Sequence, residues 1–153
     1  MKKILFICTQ NVFRSYSAHK ITQKHINENN LQIKVDSAGT HAYAWERPYS
    51  YTFETLEQLD IDFDYVHINK KISKELFDED TIIVCMTKEH QKHIKKNFNY
   101  NSYLFNELVH GTQTDLQDDN ETNTYDNLEI FVTSTVKYIH KHIPQLIENV
   151  QKL

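Results

Sequence analysis

Cysteine is scarce in this chain. Two Cys among 153 residues cannot make a disulfide scaffold, so a reducing compartment is the natural reading. Long apolar runs are missing as well. After Met1–Lys3 only five apolar or small residues precede polar Thr9, too few for a signal peptide and far too few for a membrane span. A cytoplasmic protein with no membrane insertion is expected. Excess positive charge is also absent. A formal net charge of −4 gives no bulk attraction to nucleic acid or anionic membrane, and any anionic ligand must be caught by local donors. The nine His do not make up for this: His90/His93 and His140/His142 lack Cys or carboxylate partners at zinc spacing. No metal and no organic cofactor is expected. There is no repeat, low-complexity tract or linker, so residues 1–153 are expected to form one domain.

Apolar residues at 39% and charged residues at 25% are sufficient for a buried core. Ile4–Cys8 is a short continuous apolar run, which suits a strand buried on both faces of a parallel sheet. From Ser15 the spacing changes, and Ala18, Ile21 and Ile26 predict a helix ending near Asn29–Asn30. Ile33–Ser37 reads as a second strand closed by Gly39, Tyr51–Leu59 as a helix, and Ser73–Phe77 as one helical turn. Thr81–Met86 is another apolar strand, with a helix over Glu89–Lys96 and a short fourth strand over Ser102–Phe105. A polar stretch, His110–Thr124, precedes a final helical segment, Leu128–Val150. There Ile130, Phe131, Val136, Ile139, Ile143, Ile147 and Val150 fall mostly on one stripe, and Pro144 is expected to kink or split it. Strands alternating with helices imply right-handed crossovers. The expected fold is α/β, a three-layer sandwich around a central four-stranded parallel sheet. In such folds ligands sit beyond the carboxyl ends of the strands, where a helix begins. That directs attention to the turn after the first strand.

The turn reads Cys8-Thr9-Gln10-Asn11-Val12-Phe13-Arg14-Ser15: a Cys, five residues, an Arg and a hydroxyl, running from strand to helix. A tight loop there aims backbone N–H groups inward, and the helix dipole adds positive charge. Arg14 supplies a planar fork for two phosphoryl oxygens. The same donors favour a Cys8 thiolate, the form that attacks phosphorus. A Cys ending a buried strand is commonly just a small hydrophobe. What weighs against that here is the conjunction of strand, Arg, following Ser and helix.

The segment resembles the signature of the low-molecular-weight protein tyrosine phosphatases, a strand followed by C-x-G-N-x-C-R-S-P. Cys8, Asn11, Arg14 and Ser15 match as they stand. Asp36-Ser37-Ala38-Gly39-Thr40 matches the family's second-strand ending, and Val84-Cys85-Met86 stands where the family has a strand ending in Met. The resemblance implies a flavodoxin-like, phosphotyrosine phosphatase I-like fold. It also implies hydrolysis of phosphate monoesters, chiefly protein phosphotyrosine, through a phosphocysteine intermediate. By it Cys8 is the nucleophile, and Thr9, Gln10, Asn11, Val12, Phe13, Arg14 and Ser15 form the phosphate loop. Asn11 would hold the loop's shape, and Ser15 would hydrogen-bond the Cys8 sulfur; a first-turn hydroxyl satisfying helix N–H groups is the plainer alternative for Ser15. The partners implied are phosphate or another oxyanion and a phosphotyrosine protein, with a bacterial tyrosine kinase as one candidate.

A cysteine mechanism needs a proton donor for the departing oxygen. The family keeps an Asp in a D-x-P-D-P context near the C-terminus. Laid over it, Asp118 takes the general-acid position and Asp119 replaces the proline. Asp119 and the more distant Asp115 stay open as alternatives, and a solvated acidic loop is the ordinary reading of such clusters. Tyr43, seven residues after Asp36, falls where the family lines its substrate cleft, with Trp45 nearby; packing is the competing role for either aromatic.

Several positions depart from the family. Gln10 replaces the loop's Gly, which would strain or reshape the cradle if φ must be positive there. Phe13 replaces a second Cys able to capture an oxidised nucleophile. Tyr16 replaces a Pro, and no tyrosine pair follows the acid. Two other readings follow from these. One is a degenerate module that binds phosphate or phosphotyrosine without turnover. The other is an arsenate reductase, which would need an accessible second sulfur where only Cys85 exists.

Overall fold

The computed structural model describes residues 1–43, 46–116 and 127–153. Four strands, β1 (Lys3–Cys8), β2 (Lys34–Gly39), β3 (Thr81–Cys85) and β4 (Tyr103–Leu104), form one parallel sheet in the order β2-β1-β3-β4. Cys8 pairs in register with Gly39, and Ile7 with Cys85. The three longer strands therefore end together, at one edge of the sheet.

Alternation along β1 divides the core. Ile4, Phe6 and Cys8 pack with Val84 and Met86 against helices α1 (Arg14–Glu28), α2 (Ser50–Gln58), α4 (Phe105–His110) and α5 (Leu128–Gln151). Leu5 and Ile7 point the other way, onto Ile72, Leu104 and Ile94 of α3 (Lys88–Phe98). Side chains of period two thus fill both faces, which is why Ile4–Cys8 reads as an unbroken apolar run. The result is the expected three-layer α/β sandwich with a four-stranded parallel sheet.

Two expectations change. Ser102–Phe105 is not a four-residue strand: β4 is two residues long, and Phe105 opens α4. The Glu107 carboxylate accepts from the Leu104 N–H at 3.0 Å, Phe105, Leu108 and Val109 are buried, and Gly111 closes the helix at φ 74°. This is the left-handed position that glycine tolerates best. The final segment is not split at Pro144; α5 runs through it. Buried residues lie on both sides, Val132, Val136 and Ile139 before and Leu146, Ile147 and Val150 after. Burial worth roughly 1.5–3 kcal/mol per large apolar side chain outweighs an interior proline at about 3 kcal/mol. Ile130 is 68% exposed and leaves the stripe.

Candidate active site

The loop between β1 and α1 is built against the ends of β2 and β3. The Thr40 N–H donates to the Cys8 carbonyl and the His41 N–H to the Thr9 carbonyl, both at 2.9 Å. Gly39 lies beneath the loop, where a Cβ would stand 2.5 Å from the Thr9 carbonyl oxygen and 3.0 Å from the Asn11 nitrogen. Only a residue without a side chain fits such an approach.

Asn11 is the hub. Its backbone takes φ 61°, and its N–H points at Cys8 Sγ at 3.3 Å. Asn11 Oδ1 accepts from the Lys70 N–H at 2.9 Å, which fixes the amide so that Nδ2 donates to Ser15 Oγ at 3.0 Å and Ser37 Oγ at 2.9 Å. Ser15 Oγ then lies 2.9 Å from Cys8 Sγ. Because Oγ already accepts from Asn11, its own proton is left for the sulfur. His67 donates from Nε2 to the Asn11 carbonyl at 2.7 Å, and Asn69 Nδ2 donates to the Gln10 carbonyl at 3.1 Å. Ser37 shares a further bond with His19 Nδ1 at 3.0 Å. Burial, then Lys20, holds His19 well below the usual imidazole range, at about 4.

On the other side of the loop stands His90. The Thr87 N–H donates to His90 Nδ1 at 3.1 Å, closing a capping box at the start of α3 in which the ring takes the acceptor role usually played by Glu or Gln. The proton must therefore sit on Nε2, which donates to Thr9 Oγ1 at 2.9 Å. Burial and the facing Arg14 charge lower His90 to about 3, so the ring is neutral. Arg14 is 2% exposed, and its Nη1 donates to the Leu116 carbonyl at 2.7 Å. The Leu116 N–H in turn donates to the Met86 carbonyl at 2.8 Å, past the end of β3.

The structure brings Cys8, Asn11, Arg14 and Ser15 together at one buried point. Ser15 makes the sulfur contact and is not merely a helix-end hydroxyl. Gln10 does not carry the positive φ; Asn11 does, so the missing Gly imposes no left-handed strain at position 10. The Phe13 ring leaves the loop for the core and meets Tyr49 and Phe131 edge-on at 6.1 and 6.0 Å. Val12 is buried and Thr9 half-buried. Tyr43 is 64% exposed, and its carbonyl accepts from Asn69 Nδ2 and from the Glu46 N–H. Asp115 accepts from the Lys88 N–H at 2.8 Å, a helix-capping role. Trp45, Asp118 and Asp119 lie outside the described residues. Sequence reasoning missed His19, His67, Asn69, Lys70 and His90. Only His90 left a readable trace, the T-x-x-H spacing at the start of α3. No group of three or more His, Cys, Asp or Glu that could hold a metal occurs among the described residues, and no helix there is long and apolar enough to cross a membrane.

A thiol held by a hydroxyl and a backbone N–H, at the mouth of a strand-to-helix loop ending in a buried Arg, is the arrangement of a cysteine-based phosphatase. The family model described as low molecular weight phosphotyrosine protein phosphatase matches residues 3–153, and the chain belongs to that family. Protein-arginine-phosphatase of Bacillus subtilis is 26% identical over 147 residues, 90% of this chain and 97% of that protein. The low molecular weight phosphotyrosine protein phosphatase of Gallus gallus is 28% identical over 102 residues, 65% of this chain and 63% of that one. In fold, the chain is similar to the crystal structure of a YwlE mutant from Bacillus subtilis, with TM-score 0.85, 21% identity and 99% of each chain covered.

Proposed function

We propose that this enzyme hydrolyses phosphate monoesters on proteins, phosphotyrosine foremost, through a phosphocysteine. The observation that carries the reading is Cys8 Sγ, with Ser15 Oγ at 2.9 Å and the Asn11 N–H at 3.3 Å. Both donors stabilise a thiolate where the loop can seat a phosphoryl group. Sγ attacks phosphorus in line while the P–O bond to tyrosine breaks. Arg14 spreads its fork over the equatorial oxygens. Asp118 gives its proton to the leaving phenoxide, then takes one from the water that cleaves the S–P bond and frees phosphate. Thr9, whose hydroxyl accepts from His90, has its own proton for a phosphoryl oxygen.

The cavity beside the loop, about 500 Å³, supports phosphotyrosine. Among the described residues Arg14, Lys92, Lys96, His41, His90 and His93 line it with one carboxylate, Glu89. A guanidino group is made of N–H donors and wants acceptors, whereas a tyrosyl ring makes no such demand. A second reading, hydrolysis of phosphoarginine on proteins, takes its weight from the Bacillus subtilis relative named protein-arginine-phosphatase. Arsenate reduction is opposed by Cys85, which is fully buried and whose thiol burial pushes up to about 12. It is a poor partner for thiol exchange.

The test is turnover of a generic aryl phosphate by the native enzyme, Cys8→Ser, Asp118→Ala and Asp119→Ala. Cys8→Ser should fall to background, and Asp118→Ala should lose on the order of 10²–10⁴-fold, with Asp119→Ala close to native. The reverse order of the two Asp variants would move the acid to Asp119. A native protein that binds phosphate but turns nothing over is a binding module. Matched phosphotyrosyl and phosphoarginyl peptides separate the two substrate readings.

A further inference from the structure

The cavity beside the phosphate loop has a sign opposite to that of the molecule. The chain carries a formal net charge of −4, yet among the described residues Arg14, Lys92 and Lys96 line this cavity with one carboxylate, Glu89, and three His. Glu89 pairs with Lys92 at 3.0 Å, both side chains more than 70% exposed, which neutralises little in water. Lys96 makes no ion pair among the described residues. The His41 and His93 rings meet edge-on at 5.3 Å and span from the loop after β2 to α3. His93 lies below its ordinary range because of partial burial, then His41, Lys71 and Lys96. The cations of α1 and α3, Arg14, Lys92 and Lys96, thus face one cavity, which the His41 and His93 rings also line. Thr9 and Arg14 line the same cavity, so it opens directly onto the place where a phosphoryl group would sit.

Proximity to the loop alone does not require this arrangement. Arg14 is buried and directed to the Leu116 carbonyl, whereas Lys92 and Lys96 are exposed on α3, four residues apart. Like charges at that spacing on a helix repel and cost stability. An anion bridging them would remove that cost. We infer that this cavity is a second anion subsite, which takes an acidic or phosphorylated side chain flanking the phosphotyrosine in a protein substrate. This rests on the phosphotyrosine reading of the adjoining loop. The subsite acts through charge, so it lowers KM for such substrates and leaves the chemistry at Cys8 unchanged.

The experiment uses three phosphotyrosyl peptides alike except for flanking Gln, Glu or phosphoserine, together with a generic aryl phosphate. The native enzyme should favour the Glu peptide over the Gln peptide by about fivefold in kcat/KM at low salt. The preference should sit in KM and shrink as salt rises; a larger gain for phosphoserine than for Glu assigns the subsite to phosphoryl groups, a gain no larger to carboxylates. In Lys96→Glu and in His93→Gln/Lys96→Gln the preference should vanish, read as the ratio of the Glu to the Gln peptide so that any change common to both cancels. Equal kcat/KM for all three peptides, or a preference that survives both variants, overturns the subsite. Equilibrium binding of the same peptides to Cys8→Ser reads it without turnover. Flank-dependent affinity in a protein that does not hydrolyse phosphotyrosine would therefore reject the reading of the loop and keep the subsite, and flank-independent affinity would reject the subsite alone.

Discussion

Asn11 combines two properties that few residue types can offer together. Its backbone is left-handed, at φ 61°, a conformation Asn accepts more readily than most non-glycine residues. Its amide also bridges Lys70, Ser15 and Ser37. Asn11→Ala loses both and should destabilise the fold by about 2–3 kcal/mol, at roughly 0.5–1.5 kcal/mol per net hydrogen bond. Asn11→Gly loses the bonds but keeps the φ and should be the milder variant. Urea unfolding of the pair measures the difference, and equal losses would mean that the backbone conformation costs nothing. Gly39 fails differently. Gly39→Ala drives a Cβ against the Thr9 carbonyl, 2.5 Å away, and that neighbour is backbone with no rotamer to yield. A loss of about 1–3 kcal/mol and a steep fall in aryl phosphatase activity are expected, checked by thermal unfolding beside the rate. Phe13 has a chemical consequence. With Phe where the family keeps a thiol, and Cys85 fully buried, oxidised Cys8 has no accessible partner sulfur. Peroxide should give sulfenic and then sulfinic acid at Cys8, and mass spectrometry should find no Cys8–Cys85 disulfide.

At the scale of elements, α3 is the least ordinary. Its capping box makes the helix start and the Cys8–Arg14 loop share one imidazole, since His90 accepts from Thr87 and donates to Thr9. Thr87→Ala should cost about 0.5–2 kcal/mol, as N-cap losses do, and should also lower activity by loosening Thr9. His90→Gln keeps an acceptor for Thr87 and a donor for Thr9, and should recover much of the rate that His90→Ala loses. A His90→Gln no better than His90→Ala would show that the ring itself is needed. Most elements were legible from the chain. β1, β3 and α1 announce themselves through an unbroken apolar run or a helical period, because the strands are covered on both faces and α1 buries one face. β4 was read too long and α4 was hidden: the strand is two residues long and the helix begins on the next residue, so no helical period separates from it. The point where Cys8, Arg14 and Ser15 meet was legible because it lies within eight residues. The support behind it was not. His19, Ser37, His67, Asn69 and Lys70 reach Gln10, Asn11 or one another across up to 59 positions, and scattered polar residues in separate loops leave no spacing to read.

For the molecule as a whole, the neutral histidines beneath and beside the loop set an acid limit. An unfolded chain takes up a proton at each imidazole near pH 6.5. Burial holds His19 at about 4 and His90 at about 3 in the native state, with Lys20 and Arg14 respectively adding to the depression. Below pH 6.5 the unfolded state therefore binds more protons, and stability falls as pH falls. The loss should end only near pH 4 for His19 and near pH 3 for His90. Each contributes a slope of up to about 1.4 kcal/mol per pH unit. Urea midpoints between pH 7 and pH 5 should drop steadily, and His19→Asn/His90→Gln should flatten the decline. An unchanged slope in that variant would place the acid limit elsewhere.

Arg14 gives the fold a means of reporting its own occupancy. One nitrogen of the guanidinium holds the Leu116 carbonyl, and the amide on the other side of the same residue is anchored to Met86 past the end of β3. An oxyanion that steadies the guanidinium also steadies this anchorage, ahead of the stretch in which Asp118 resides. Hydrogen–deuterium exchange at the Leu116 amide should then slow when phosphate is added, and that single amide becomes a gauge of how full the loop is, readable without any substrate being consumed.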